Sequence, residues 1–268
     1  MCKLKVGIIG CGNMGCAITR GIAGKNGFTA GNIFVFDKDE EKATRLAEET
    51  GVIRKGLADL VNEADILVIA VKPHDFEALA NEMAEDITTQ TVVSIMAGVR
   101  IEVIDGKLGP GKVSVARAMP NIAASVGESV TCVAYNDGAI RIASEIRGIF
   151  SGIGEVVEME EALLDVVTAL SGSGPAYLFY LARAMMEAGR EMGLTAATAE
   201  KLVTQTLYGS AALLKQKGLS PENLIHKVAS KGGTTEAALS VLDKKDVTGI
   251  IKSAIKKAKE RSKELSGG

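Results

Sequence analysis

The sequence predicts an α/β fold over residues 1–158, followed by an all-α fold over residues 159–268. Three observations carry that expectation. Short runs rich in β-branched residues alternate with stretches of helical spacing, the runs end at Glu158, and the first of them leads into a glycine-rich turn. Alternation of strand and helix specifies a parallel sheet covered by helices on both faces. Helices alone after it specify a second, separately organised region.

In order, the strand runs are KVGIIG, NIFVFD, DILVIAV, TVVSIM, KVSVARAM, SVTCVAY and EVVEM. They are nearly continuous in apolar residues, as strands buried on both faces should be. Residues 41–49 and 76–85 have the helical spacing expected of covering helices. Beyond Glu158, ALLDVVTAL, PAYLFYLARAMMEAGREMGL, TAEKLVTQTLYGSAALLKQ and VTGIIKSAIKKAKERSKEL read as helices, divided by glycines and by Pro175 and Pro221. The stretch 176–192 is apolar around most of its circumference, through Tyr177, Leu178, Phe179, Leu181, Met185 and Met186. Such a helix must be covered on several sides. A small helical region has little core to offer it, so packing against a second copy is expected, giving at least a homodimer. In the last helix, Val247, Ile250, Ile251, Ala254, Ile255 and Ala258 repeat at helical spacing, and the lysines form its wet face.

With 47% hydrophobic residues, 24% charged residues and a formal net charge of -2, the balance is that of a soluble globular protein. No basic excess recruits nucleic acid. No uninterrupted apolar run reaches membrane-span length, and the N-terminal MCKLKVGIIGCG lacks the sustained apolar core of a secretory signal. The four cysteines, Cys2, Cys11, Cys16 and Cys132, show neither metal-ligand spacing nor a C-x-x-C pair, so a cytoplasmic protein with reduced thiols and no metal is expected. The two histidines, His74 and His226, read as a surface-loop residue and a structural one.

The segment VGIIGCGNMG runs a buried strand into Gly10, Cys11, Gly12, Asn13, Met14 and Gly15. In a dinucleotide-binding turn the first glycine makes the bend, the second admits a pyrophosphate, and the third lets the helix close on the strand. That helix presents its amides and its positive dipole end to the phosphates. Glycine turns of this kind are common; the context makes this one specific. Asp37 ends the second strand 22 residues past Gly15, where a carboxylate binds ribose hydroxyls. Asp37 favours NADH, because it repels a 2′-phosphate, whereas the adjacent Lys38 suits NADPH. Ala70, Val71, Lys72 and Pro73 end the DILVIAV strand, and Met96, Ala97 and Gly98 end the next one. Both sets fall at the carboxyl edge of the sheet, where ligands of such folds bind.

Three further stretches, RAMPNIAASVGES, ALSGSGPAYLFYLARAMMEAG and SKGGTTEAAL, follow GCGNMG and AVKP in order. With them the chain resembles the pyrroline-5-carboxylate reductases over essentially its whole length, and the SGSGP and GGTT motifs are the most specific part of that likeness. The resemblance implies an N-terminal Rossmann-like dinucleotide-binding domain and a C-terminal substrate-binding and dimerisation domain, in dimers that can assemble further. The implied reaction is NAD(P)H-dependent reduction of 1-pyrroline-5-carboxylate to L-proline, the last step of proline biosynthesis, by hydride transfer to the imine carbon. Carried onto this sequence, the cofactor residues are those at 10–15, 70–73 and 96–98. The substrate residues are Glu161, Ser230, Gly232, Gly233, Thr234 and Thr235.

A physical reading accompanies the substrate loop. Gly232 and Gly233 free successive N–H groups to converge on the substrate carboxylate, as in anion-binding nests. TTEAALSVL then resumes a helix whose positive end faces the same anion, and the Thr235 hydroxyl turns toward the imine nitrogen as the catalytic group. Thr234 or Thr235 serving only as a helix N-cap is the competing reading. SGSGP reads equally as a helix start with proline in its first turn. It lacks the Gly-Lys-Ser/Thr of a phosphate-binding loop, and Tyr177 and Tyr180 read as packing residues.

Three positions depart from the family pattern: Lys231 stands where proline is usual, Gly15 where alanine is frequent, and His74 at a variable site. Two other functions fit parts of the sequence. A different Rossmann-plus-helical dehydrogenase or imine reductase shares the architecture, though a hydroxy-acid dehydrogenase would place a lysine in the SGSGPAYLFYLARAM segment. A non-catalytic nucleotide-sensing module would need the glycine turn but not SGSGP and GGTT together.

Overall fold

All seven apolar runs form strands, and the structure, a computed structural model, adds an eighth. It describes residues 4–25, 27–216, 218 and 220–265; Cys2 lies outside them. The strands are β1 (Val6–Ile9), β2 (Ile33–Phe36), β3 (Ile53–Arg54), β4 (Ile66–Ile69), β5 (Thr91–Ser94), β6 (Ser114–Met119), β7 (Ser129–Tyr135) and β8 (Gly154–Glu158), in the order β3-β2-β1-β4-β5-β6-β7-β8. The added β3 is a two-residue exposed edge strand, too short and too polar for its composition to reveal.

The sheet is not parallel throughout. β7 runs antiparallel to β6, with Ala116 opposite Tyr135 and Met119 opposite Cys132, while every other neighbouring pair is parallel. Parallel neighbours need a crossover of about a dozen residues or more, usually a helix. The link 120–128 holds only a short turn (Ile122–Val126), so the chain reverses instead.

Two helical layers cover this sheet. On one side α1 (Asn13–Ile22), α2 (Glu40–Thr50) and α6 (Ala143–Ser151) bury Ile18, Leu46 and Phe150 against Val6 and Ile8. On the other, α3 (Leu57–Glu63), α4 (Phe76–Met83) and α5 (Ile101–Leu108) bury Leu60, Met83 and Ile104 against Ile9, Leu67 and Ile69. Each large side chain fully buried this way contributes about 1.5–3 kcal/mol relative to exposure.

The chain then turns helical: α7 (Leu164–Val167), a π-helical turn at Thr168–Gly172, α8 (Gly174–Glu191), α9 (Ala196–Lys215), α10 (Pro221–Val228), α11 (Thr234–Lys244) and α12 (Val247–Leu265). Starts are locally encoded. Thr195 accepts a hydrogen bond from Thr198 N–H at the start of α9, and Ser220 accepts one from Asn223 N–H ahead of Pro221 in α10.

Where the sequence reading divides the chain between 158 and 159, its contacts divide it after Ser173, and the segment from Ala258 onward belongs with the first unit. The reason lies in α7. Leu164 and Val167 pack on Cys132 and Ala134 of β7, and the buried Asp165 accepts a 2.7 Å hydrogen bond from the buried Ser262 of α12.

The second unit, Gly174–Lys257, pairs α8 with α9 yet has little interior. Among its described residues only Gly189 of α8 and Ala199 and Val203 of α9 are buried, while Leu178 is 58% exposed, Phe179 63% and Tyr180 66%. The several-sided burial expected of α8 is therefore not met within one chain. The sequence holds no uninterrupted apolar run of membrane-span length, yet one stretch passes a looser test of length and composition. The helical segment Glu161–Glu191, with a mean hydropathy of 1.2 in its most apolar window, is long and apolar enough to span a membrane by that test.

Candidate active site

β1 leads into Gly10, whose φ of +105° and 2.7 Å N–H bond to the Phe36 carbonyl set the bend. A Cβ at Gly10 would lie 2.7 Å from the Ala70 carbonyl oxygen, and one at Gly15 would lie 1.9 Å from the Gly10 carbonyl oxygen. Both glycines are therefore required by packing, and the alanine frequent in the family at Gly15 does not fit here without a shift. Gly12 differs. A Cβ there would meet nothing within 4 Å, so its backbone borders open space. Cys16 N–H bonds the Gly12 carbonyl at 2.9 Å. The amides of Asn13, Met14 and Gly15 come before that first helical bond, as in any helix N-terminus suited to an anion.

Two cavities meet at Gly12. One of about 470 Å³ is lined by Cys11, Gly12, Asn13 and Met14 together with Arg20 and Arg45. The other, of about 290 Å³, is lined by Gly10, Gly12, Asp37, Lys38, Ala70, Val71, Lys72 and Asp75, among others. The structure thus gathers most of the expected cofactor residues on one edge of the sheet. Pro73 opens the short turn Pro73–Asp75 beside it. Met96, Ala97 and Gly98 line neither cavity. Met96 is buried and donates its N–H to Ser94 Oγ at 3.2 Å, and Gly98, at φ +78°, has Leu265 of α12 packed where a side chain would stand.

Asp37 does more than its spacing suggests. Its Oδ2 accepts the Cys11 N–H at 2.6 Å and its Oδ1 accepts the Asp39 N–H at 2.9 Å, which pins the glycine turn to the end of β2. The neighbouring cations are paired: Lys38 Nζ with Asp75 Oδ1 at 2.9 Å, and Lys42 Nζ with Asp39 Oδ2 at 3.1 Å. The Cys11 thiol is pushed up to about 12, first by burial and then by the Asp37 charge, so it stays protonated. Burial also raises the Cys16 thiol, which donates to the Cys11 carbonyl.

At the head of α7, Glu161 Oε1 accepts the Ile101 N–H at 2.8 Å and faces Arg117 Nη1 at 3.4 Å. Arg117, buried at the sheet, is a site residue that the motifs do not name. Its signal was available: it is the lone charge inside the apolar run KVSVARAM beyond its first residue. Glu161 thereby ties the chain after Gly98 to the end of β8.

In the helical unit the loop 230–233 closes on itself. Gly233 N–H bonds the Ser230 carbonyl at 2.9 Å, and Gly232, at φ +74°, donates its N–H to Glu236 Oε2 at 2.6 Å. Gly233 is the N-cap of α11, so Thr234 and Thr235 are its first two helical residues and neither serves as the cap. The N-cap reading of these threonines is thereby removed. His74 is exposed, with Nε2 3.5 Å from Asp75 Oδ2, and His226 lies on α10. Among the described residues no group of three His, Cys, Asp or Glu side chains is placed to hold a metal ion.

Comparison with known proteins separates the two halves and then joins them. Residues 5–98 match the family described as NADP oxidoreductase, coenzyme F420-dependent, and residues 161–265 match the one described as pyrroline-5-carboxylate reductase dimerisation. Relatives named pyrroline-5-carboxylate reductase from Staphylococcus epidermidis and Staphylococcus aureus are 36% identical over 267 residues, covering 98% of this chain and 98% of theirs. This chain belongs to the pyrroline-5-carboxylate reductase family. The pyrroline-5-carboxylate reductase structure from Coxiella burnetii superposes with a TM-score of 0.92 at 33% identity, over 98% of this chain and 99% of that one. The Plasmodium falciparum pyrroline carboxylate reductase, solved with NADP bound, does so with a TM-score of 0.88 at 28% identity, over 99% of each chain. An NADH-preferring ketol-acid reductoisomerase from an uncultured archaeon, at 16% identity and a TM-score of 0.68, shares the fold alone.

Proposed function

We propose that this chain, as a pyrroline-5-carboxylate reductase, reduces 1-pyrroline-5-carboxylate to L-proline with a reduced nicotinamide dinucleotide. The observation that carries the reading is the full-length match to enzymes of that name, which spans the glycine turn and the helical half alike. The local geometry supports it, because the glycine turn opens beside a helix N-terminus just where a pyrophosphate would need backbone amides.

Gly12 and the amides of Asn13, Met14 and Gly15 hold the pyrophosphate, and Asp37 accepts from the ribose hydroxyls with the lone pairs its two amide bonds leave over. Ala70, Val71, Lys72 and Pro73, with Met96, Ala97 and Gly98, border the remainder of the dinucleotide. The bound cofactor supplies a hydride, while alignment and electrostatics are the protein's share. Ser230, Gly232, Gly233 and Thr234 receive the substrate carboxylate at the N-terminus of α11, where it replaces Glu236 on the Gly232 N–H. Thr235 accepts from the protonated imine nitrogen, so the C=N carbon becomes the better hydride acceptor and the nitrogen becomes the amine of proline. Glu161, its carboxylate held by Ile101 and Arg117, is a substrate residue on the family resemblance.

NADH is the favoured cofactor in this reading, on the charge of Asp37. A homodimer, able to assemble further, covers the apolar faces of α8 and α9, and cytoplasmic residence accords with Cys11, Cys16 and Cys132 being free thiols. The test is an assay of purified protein with pyrroline-5-carboxylate and each reduced nicotinamide, with proline quantified. Consumption of either cofactor with matching proline supports the reading. A folded, oligomeric sample that forms no proline overturns it.

A further inference from the structure

The loops after β2 and β4 lie on either side of the end of β1, because the strand order there is β2-β1-β4. Lys38 belongs to the first loop and Asp75 to the second. Their 2.9 Å ion pair therefore bridges the glycine turn, and both residues line the 290 Å³ cavity together with Gly10, Gly12 and Asp37. Lys38 is also the cation next in sequence to the carboxylate assigned to the ribose. The remaining lysine on the β2 side, Lys42, is held by Asp39.

We propose that Asp75 is a cofactor-specificity residue: by holding Lys38 across the glycine turn, it withholds from a 2′-phosphate the cation that would otherwise receive it. The inference rests on the reading that a dinucleotide lies along this edge. A ribose carrying two hydroxyls needs only the Asp37 carboxylate. A 2′-phosphate must overcome Asp37 and must also draw Lys38 away from Asp75. Lys38 is largely exposed, Asp75 about one-third so, and they influence each other directly, the carboxylate held below its usual range and the ammonium above. Pairs of this kind are weak, so the discrimination they add is about three- to fivefold rather than absolute. It should fade as salt screens it.

The test is a double-mutant cycle of Asp75→Asn, Lys38→Met and their combination. For each, kcat/KM is measured with NADH and with NADPH, and dissociation constants are taken from nicotinamide fluorescence. Asp75→Asn should move the NADPH-to-NADH ratio about three- to fivefold toward NADPH in both readouts. The combined variant should lose that gain. A ratio within twofold of the parent, or a gain that survives removal of Lys38, overturns the proposal. Binding separates this failure from failure of the proposed function: a protein that binds both dinucleotides with the expected ratios yet makes no proline retains Asp75's role and loses only the assigned reaction. If neither dinucleotide binds the parent protein, both are overturned.

Discussion

β1, β4 and β5 are buried along their whole length, whereas α8 leaves Leu178, Phe179 and Tyr180 more than half exposed. Both regions are apolar in sequence, yet only one finds its cover within the chain. The α/β unit closes two cores around its sheet and carries the glycine turn on a rigid edge. The helical unit holds the GGTT loop on helices that still need a neighbour. Burial within one chain marks the half that can build its ligand edge unaided. Exposed apolar surface on a long helix marks the half left with a face to cover, and this half matches the family described as pyrroline-5-carboxylate reductase dimerisation.

The largest effect that would break this contrast comes from Phe179→Asp. A charge placed in a face that must be covered costs several kcal/mol, so dimers should be lost and turnover should fall about a hundredfold or more. Dinucleotide binding, a property of the other unit, should change little. Sedimentation and NADH titration check both halves of the statement; a variant that stays dimeric and active sinks it.

Gly15→Ala probes the opposite side. Its new methyl meets the Gly10 carbonyl, and overpacking of this sort costs about 1–3 kcal/mol. A roughly tenfold weaker NADH affinity and a lower Tm should follow, with the oligomer intact. Unchanged affinity would mean that the turn adjusts freely.

The smallest expected effect concerns alkaline pH. The Cys11 thiol and the Tyr135 phenol are both raised to about 12, chiefly by burial, from ordinary values of 9.0 and 10.0. The folded state favours their protonated forms. Their contribution is therefore complete below about pH 9 and is lost as pH rises toward 12. Melting curves across that window should show a shallower decline for Cys11→Ala than for the parent. Parallel curves would contradict the assignment to Cys11.

Much of this was legible in the sequence, for identifiable reasons. Strands buried on both faces show as continuous apolar runs, so seven were readable, while the two-residue β3 was not. Direction is not written in composition, and the antiparallel β7 follows from a link too short for a helix. In the site, Gly10, Gly12, Gly15 and Asp37 lie at fixed local spacings and could be read directly. Lys38 with Asp75 and Arg117 with Glu161 are separated by 37 and 44 residues, so their pairing depends on strand order and helix placement. The roles of Thr234 and Thr235 stayed ambiguous until Gly233 was seen to occupy the cap.

The central claim divides the work: the α/β edge holds the dinucleotide and the GGTT loop acts on the imine. Thr235→Ala tests it most directly, with proline formation, NADH affinity and Tm measured on the same preparation. Loss of one hydrogen bond to a charged group costs about 1.5–3 kcal/mol, so kcat should fall about ten- to hundredfold. NADH affinity and melting should stay near the parent values, because Thr235 caps nothing. A variant that melts earlier but turns over at the full rate would contradict the account.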